Sequence, residues 1–431
     1  MISDIHLDPT KRHDFVFLFD VENANPNGDP DAGNLPRVDP ETMRGFTTDV
    51  SIKRKVRDYL QLTYGIPMFI QSETALNRLI FEAADKVGAR LPRVPLGDNA
   101  ADRLLVELLS HKEIENVEME DGEVRYNGES FKKGEITKAL KPDTVELTEE
   151  DVQAIANALA ESEDEDFKDK APTMKDLEDA LKDLANRLWG SVGGKKKLEM
   201  KDRDATRTKM IESYFDIRMF GAVLSTGLNA GQVRGPVQLT FTKSLDPIFR
   251  MDCGITRKAV TREQDRKTKE NTMARKPIVS YGLYRGFGFY NPYLAQKTQR
   301  TELVSDNLFV KTEDLNHLWE ALWKGFDNDH SASRHIRPRG LYVFTHNCAR
   351  GNAPSHRLFD MLKVELRNEI KDRGASPSQF NDYKVSMPSG KLTIGSQEVT
   401  ISCVGSKKAV ESFPEDTVVF TKIYHEDEPT D

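Results

Sequence analysis

The sequence predicts an α+β fold, and three observations carry that prediction. Short apolar, β-prone runs alternate along the chain with amphipathic helical stretches. Their order is strand, helix, strand, insertion, helix, strand, strand, helix, strand, with extra β at the end. That order suits a ferredoxin- or RRM-type sheet with large excursions better than a doubly wound parallel sheet. Finally, 431 residues with 38% hydrophobic and 31% charged content and a mean hydropathy of -0.59 describe a globular chain of roughly two or three domains.

Residues 15–21 (Phe-Val-Phe-Leu-Phe-Asp-Val) read as a buried strand. The segment 23–36 is dense in Asn, Gly, Pro and Asp, which favour turns over helix. Thr47, Thr48 and Asp49 supply cap chemistry for a helix whose Ile52, Val56, Tyr59 and Leu60 share one face, with Lys53, Arg54 and Arg57 elsewhere on it. A second strand is expected at 66–70 and a helix at 72–87. Residues 88–200 form an acidic, mainly helical insertion, with helical patterns at 152–159 and 177–188 and an acidic run at 161–166. Gly193-Gly-Lys-Lys-Lys197 reads as its exit hinge.

Beyond it, Ile211, Tyr214, Phe215 and Met219 form a helical stripe that ends in a loop at 225–235. A strand follows at 237–241, then a polar, basic excursion at 252–276, then β-patterning at 278–290. Leu315, Leu318, Trp319, Leu322, Trp323 and Phe326 define the clearest amphipathic helix. A strand is expected at 341–345, a helix at 355–370, and strands near 383–387, 399–403 and 418–424.

Net charge is -8, but it is unevenly distributed. Residues 113–183 hold 23 acidic and 9 basic side chains, whereas 195–300 hold 22 basic and 10 acidic ones. The second region has the electrostatic character a polyphosphate partner needs. Excursion 252–276 carries Arg257, Lys258, Arg262, Arg266, Lys267, Lys269, Arg275 and Lys276 with little apolar content, so it has no core of its own.

Several chemistries find little support. No apolar run approaches the roughly 18 residues of a spanning helix, so no membrane partner is expected and the protein is placed in the cytoplasm. Cys253, Cys348 and Cys403 form neither a disulfide framework nor a CxxC knuckle. The carboxylates Asp20, Glu22, Asp29 and Asp31 lack EF-hand spacing, and their prolines suit a rigid loop. Glycines 227, 231 and 235 fit no nucleotide fingerprint, although Ser, Gln and Arg around them can present backbone N–H groups to phosphate. His330, His335, His346 and His356 show no helical zinc spacing and read equally as surface or core histidines. No catalytic residue, metal or cofactor is therefore assigned.

The segment Phe19-Asp-Val-Glu-Asn-Ala-Asn-Pro-Asn-Gly-Asp-Pro-Asp-Ala-Gly-Asn-Leu-Pro-Arg37, followed by Thr48-Asp-Val50 and Lys53-Arg-Lys-Val-Arg57, resembles the N-terminal signature of the CRISPR Cascade backbone subunits, the Cas-seven family, in its type I-C branch. Similar stretches recur at Gly231-Gln-Val-Arg-Gly-Pro-Val-Gln238, Asn271-Thr-Met-Ala-Arg-Lys276, Tyr281-Gly-Leu-Tyr284 and Gly351-Asn-Ala-Pro354. The likeness covers roughly 1–85 and 200–403.

The resemblance implies an RRM/ferredoxin-like palm at 1–87 and 201–431, a helical finger insertion at 88–200 and a β-hairpin thumb at 252–276. It implies a non-catalytic subunit that polymerises along a CRISPR guide RNA. Its partners would be neighbouring copies of itself, a target DNA strand, and other Cascade subunits: an RNA-processing cap subunit, a large subunit and a small subunit. The RNA-binding residues expected on this basis are Asn25, Asn27, Arg37, Lys53, Arg54, Arg57, Ser225, Gln232, Arg234, Arg257, Thr272, Met273, Arg275 and Lys276. The alternative is a metal-dependent ribonuclease of RRM-like fold, since RRM-like relatives in CRISPR systems process RNA and the acidic loop 20–31 could be recruited.

Overall fold

The computed structural model describes residues 4–161, 171–225, 227–257, 272–298, 303–331, 333–388, 390–394, 397–404 and 417–425. Two compact units are present. The first comprises Met1–Met68, Arg218–Phe220 and Arg234–Asp431, and the second Phe69–Ile217 and Gly221–Val233.

The first unit is built on a ten-stranded mixed sheet. Its strands are β1 (His13–Ala24), β2 (Arg44–Thr47), β3 (Val237–Leu239), β4 (Thr242–Pro247), β5 (Arg250–Arg257), β6 (Thr272–Tyr290), β7 (Ile336–His346), β8 (Gly390–Ile394), β9 (Gln397–Val404) and β10 (Thr417–His425). The order across the sheet is β8-β9-β10-β7-β1-β6-β4-β2, with β3 and β5 also paired to β6. Among the described residues only β9 and β10 run parallel.

Strand β1 lies at the centre and is buried from His13 to Val21, so both of its faces are covered. Phe15 meets Trp319 edge-on at 5.0 Å, and Phe19 stacks on Tyr284 at 5.3 Å. The alternate residues Val16 and Leu18 join a second cluster with Tyr342, Phe344, Phe359 and Phe420. Phe15 is paired with Gly288 and Phe17 with Gly286. A Cβ at either glycine would collide with the ring opposite it, so the rings lie across bare backbone.

Helix α1 (Asp49–Tyr64) and helix α2 (Thr312–Lys324) pack against each other, and the Tyr59 hydroxyl donates to Glu320 at 2.9 Å. Thr48 caps α1 by accepting from the Ser51 N–H, and Gly65 ends it in the left-handed conformation.

In the second unit, residues 93–95, 117–120 and 123–126 form a three-stranded sheet. Helices Ala100–His111, Glu149–Glu161 and Met174–Ser191 bury Leu104, Leu105, Ile155, Leu181 and Leu184 in one core. The acidic residues of these helices that are described are exposed or half-buried. An exception is Asp102, buried beneath Arg187, whose guanidinium donates to it. A second core gathers Ile80, Phe81, Met210 and Leu224. The acidic run 161–166 lies largely outside the described residues.

Three local expectations need correction. Residues 66–70 are not a strand: the N–H groups of Phe69 and Ile70 donate to the buried Asp216 carboxylate at 2.8 and 3.0 Å, and this replaces ladder bonds. The stripe from Ile211 to Met219 is two helices, Met200–Ser213 and Phe215–Phe220, separated by an extended Tyr214. Residues 355–370 hold not one helix but the short helix Ser355–Phe359 and the start of another, Asn368–Asp372. Lys363–Leu366 is a strand, because its period-two pattern pairs with Tyr383–Ser386.

His13 is buried, with Nε2 2.9 Å from the Asp8 carbonyl and Nδ1 3.0 Å from the Thr345 hydroxyl. Burial pushes its pKa down to about 4. The unfolded ring titrates near 6.5, so between these values the unfolded chain binds more protons. Its stabilising contribution is therefore complete above pH about 6.5 and lost as pH falls to about 4, a change on the order of 3 kcal/mol. Thermal unfolding should show this acid sensitivity reduced in His13→Gln, along with a lower Tm at neutral pH. An unchanged pH profile would contradict it.

Candidate nucleic-acid interface

The loop after β1 is fixed by its own side chains. Asn23, Gly33 and Asn34 take positive φ, which Asn and Gly adopt at low cost. Asn25 donates through its amide to the Asn34 carbonyl at 2.7 Å and through its backbone to Ser333 at 2.8 Å. The Asn27 carboxamide oxygen accepts from both the N–H and the hydroxyl of Thr48, at 3.0 and 3.1 Å. The loop is thereby clamped to the residue that caps α1.

One wall of a polar cleft of about 270 Å³ is made by Asn25, Asn27, Gly28 and the α1 residues Ser51, Arg54, Lys55 and Asp58. Asp329, Ser333, Arg334 and Ile336 make the other. Arg54 is 80% exposed and lies 3.5 Å from Asp58, so its charge is little used by the protein. Lys55 and Arg334 flank Asp329 at 2.6 and 2.7 Å. Burial raises the Asp329 pKa, but the Lys55 and Arg334 cations outweigh that and hold it below the usual carboxylate range. Three cations and two carboxylates thus border the cleft, with the start of a helix beside them.

The expected residues separate into groups. Asn25, Asn27 and Arg54 come together in this cleft. Arg37 is half-buried with its guanidinium 3.5 Å from Asp29. Lys53 pairs with Asp49 at 2.8 Å and sits over the Phe220 ring, as does Arg57, which is only 6% exposed. Ser225, Gln232 and Arg234 are exposed, the last two on strand Gly231–Arg234. Their loop is fastened by Asn229, which accepts from Arg203 and the Gly231 N–H and donates to Glu129.

Arg257, Thr272 and Met273 pair across β5 and β6 as Arg257 with Thr272 and Thr256 with Met273, but their side chains lie outside the described residues. Arg275 is 83% exposed beside Asp252, and Lys276 is half-buried. Residues 252–256, 274 and 275 are all exposed, so this hairpin leaves the sheet without a core; residues 258–271 lie outside the described part.

The sequence reading missed Lys55, Asp329, Ser333, Arg334, Arg337 and Arg339. Arg337 and Arg339 both bind the buried Asp20, at 2.9 and 2.8 Å, and Arg337 reaches Glu22 at 2.7 Å. Their i, i+2 spacing on β7 is the one signal that could have found them. His346 is buried and holds Asp14 at 2.9 Å. Among the described residues no group of His, Cys, Asp or Glu is arranged to hold a metal ion, and none of their helices is long and apolar enough to cross a membrane.

These features define a mixed α+β protein with a cation-bordered polar cleft at the start of a helix and a basic hairpin outside its core. The chain belongs to the family described as CRISPR-associated protein Cas7, whose model matches residues 11–125 and 143–388. A CRISPR-associated protein Cas7 from Haloferax volcanii is 48% identical over 50 residues, which are 12% of this chain and span only 15% of that relative's length. A chain of a solved CRISPR RNA-guided surveillance complex in a pre-nicking state is 14% identical, with 77% of this chain and 78% of that chain covered and a TM-score of 0.38. A second surveillance-complex chain is 13% identical, over 77% and 75%, with a TM-score of 0.29. At these TM-scores neither likeness bears on the fold.

Replacing Asn27 by alanine leaves the Thr48 N–H and hydroxyl without their acceptor. Denaturant unfolding of Asn27→Ala should show a loss of about 1–3 kcal/mol. Wild-type stability would mean that the loop is not clamped in this way.

Proposed function

We propose that this chain is a non-catalytic backbone subunit of a type I-C Cascade surveillance complex. It binds CRISPR guide RNA, oligomerises along it, and supports recognition of a target DNA strand in the cytoplasm beside the cap, large and small subunits. The observation that carries the reading is hairpin β5–β6. Its exposed, basic arms have no core, and a segment of that composition gains order by lying over a polyanion.

In this reading the sheet of the first unit is the palm. The order β7-β1-β6-β4, with α1 after β1 and α2 between β6 and β7, is the 4-1-3-2 arrangement of a βαββαβ unit, which supports it. The finger is the insertion 88–200 and the thumb 252–276. Phosphates would meet Asn25, Asn27 and Arg54 at the cleft, and also the exposed Ser225, Gln232, Arg234 and Arg275 and the half-buried Lys276. Asp20 has its oxygens engaged by Arg337 and Arg339, an arrangement suited to holding the palm together rather than to carrying a hydrolytic metal.

Guide binding led by the backbone accepts any sequence. The purified protein should carry RNA, visible as a raised 260/280 nm absorbance ratio. Arg54→Glu should weaken binding equally for unrelated guides and reduce the slope of log K against log salt by about one. Protein free of nucleic acid, or losses that differ from guide to guide, would overturn the reading.

A further inference from the structure

The edge of the main sheet has two unlike faces. On one, Gly45, Thr47, Thr242 and Ser244 are buried, and the Thr47 and Thr242 hydroxyls share a hydrogen bond of 2.6 Å. On the other, register places Phe46 of β2 opposite Lys243 of β4, and Lys243 opposite Arg285 of β6. Directly paired residues project from the same face, so a cation stands beside each aromatic neighbour.

Phe241 lies parallel to Phe46, with ring centres 6.1 Å apart and planes 2° from each other. It is 52% exposed. Beyond them the face closes: Arg285 sits over the Phe287 ring at 5.3 Å, and Phe287 stacks on Phe359 at 4.7 Å. Arg44 and Lys243 are exposed, and neither forms an ion pair among the described residues. Burial disfavours the Arg285 cation and the Arg44 charge adds to this, with Asp360 opposing; Asp39 is the acid that faces Lys243. The strip is therefore aromatic and net positive.

We infer that the strip Arg44, Phe46, Phe241 and Lys243 is a stacking platform for unpaired nucleobases of a single strand, with its cations meeting the adjoining phosphates. Exposed ring faces accept any base, and cations interleaved with them select a polyanion over an apolar protein surface. The strip is separate from the cleft at Arg54, and the inference rests on the chain being a nucleic-acid binder. Guide RNA and a displaced or target DNA strand share this chemistry.

The test uses full-length protein stripped of bound nucleic acid, with a single-stranded RNA 20-mer, the equivalent single-stranded DNA and a DNA duplex as probes. Phe241→Ala should weaken single-strand binding roughly tenfold, about 1.4 kcal/mol, without changing the salt slope or duplex binding, since the base loses its stacking partner. Phe241→Trp should restore affinity, and its fluorescence should be quenched on binding. Comparing the RNA and DNA losses identifies which strand is stacked.

Wild-type affinity in Phe241→Ala, with Arg54→Glu still weakened, would overturn the platform and leave the broader reading standing. No binding by the wild type to any probe would remove both. A change in oligomeric state with unchanged affinity would assign the face to a protein contact and overturn the platform.

Discussion

The placement of β1 between β6 and β7 is the constraint on which the first unit depends. Phe15 and Phe17 lie across Gly288 and Gly286, where any Cβ would collide with them. A one-residue slip would put a side chain under each ring and send Val16 and Leu18 to the wrong cluster, so register is specified steeply. Once it is set, β6 continues past the end of its pairing with β1 at Val279 and carries the hairpin residues Arg275 and Lys276 outward.

The same placement organises the charges. Asp20 faces Arg337 and Arg339 from the adjacent strand and is fully buried, so its charge is compensated inside the sheet. Arg57, over Phe220, is likewise internal. Arg54, Arg234, Arg275, Arg44 and Lys243 are among the cations left to solvent and so available to a polyanion. A total charge of -8 conceals this, since the carboxylates concentrate at 113–183, in the second unit.

Much of the local structure was legible because it depends on near neighbours. The apolar run of β1, the cap of α1 and the amphipathic stripe of α2 are short-range patterns, and each element formed where the pattern lies. The strand expected at 66–70 failed because Asp216, far away in sequence, takes the amides of Phe69 and Ile70. The helix expected at 355–370 failed because pairing with Tyr383–Ser386 outweighs local periodicity.

The candidate site divides in the same way. The Asn-rich loop and the basic, coreless character of 252–276 follow from residue type and spacing, which the sequence determines by itself. Which cations remain available is decided only in three dimensions. Arg54 and Arg57 are three residues apart on one helix, yet one is 80% exposed and the other is buried over Phe220. Lys55 and Arg334 meet at Asp329 although some 280 residues separate the two cations, and Phe46 meets Phe241 only through strand register. Periodicity reports which face of an element a residue occupies, whereas what that face meets is fixed by pairings between distant segments.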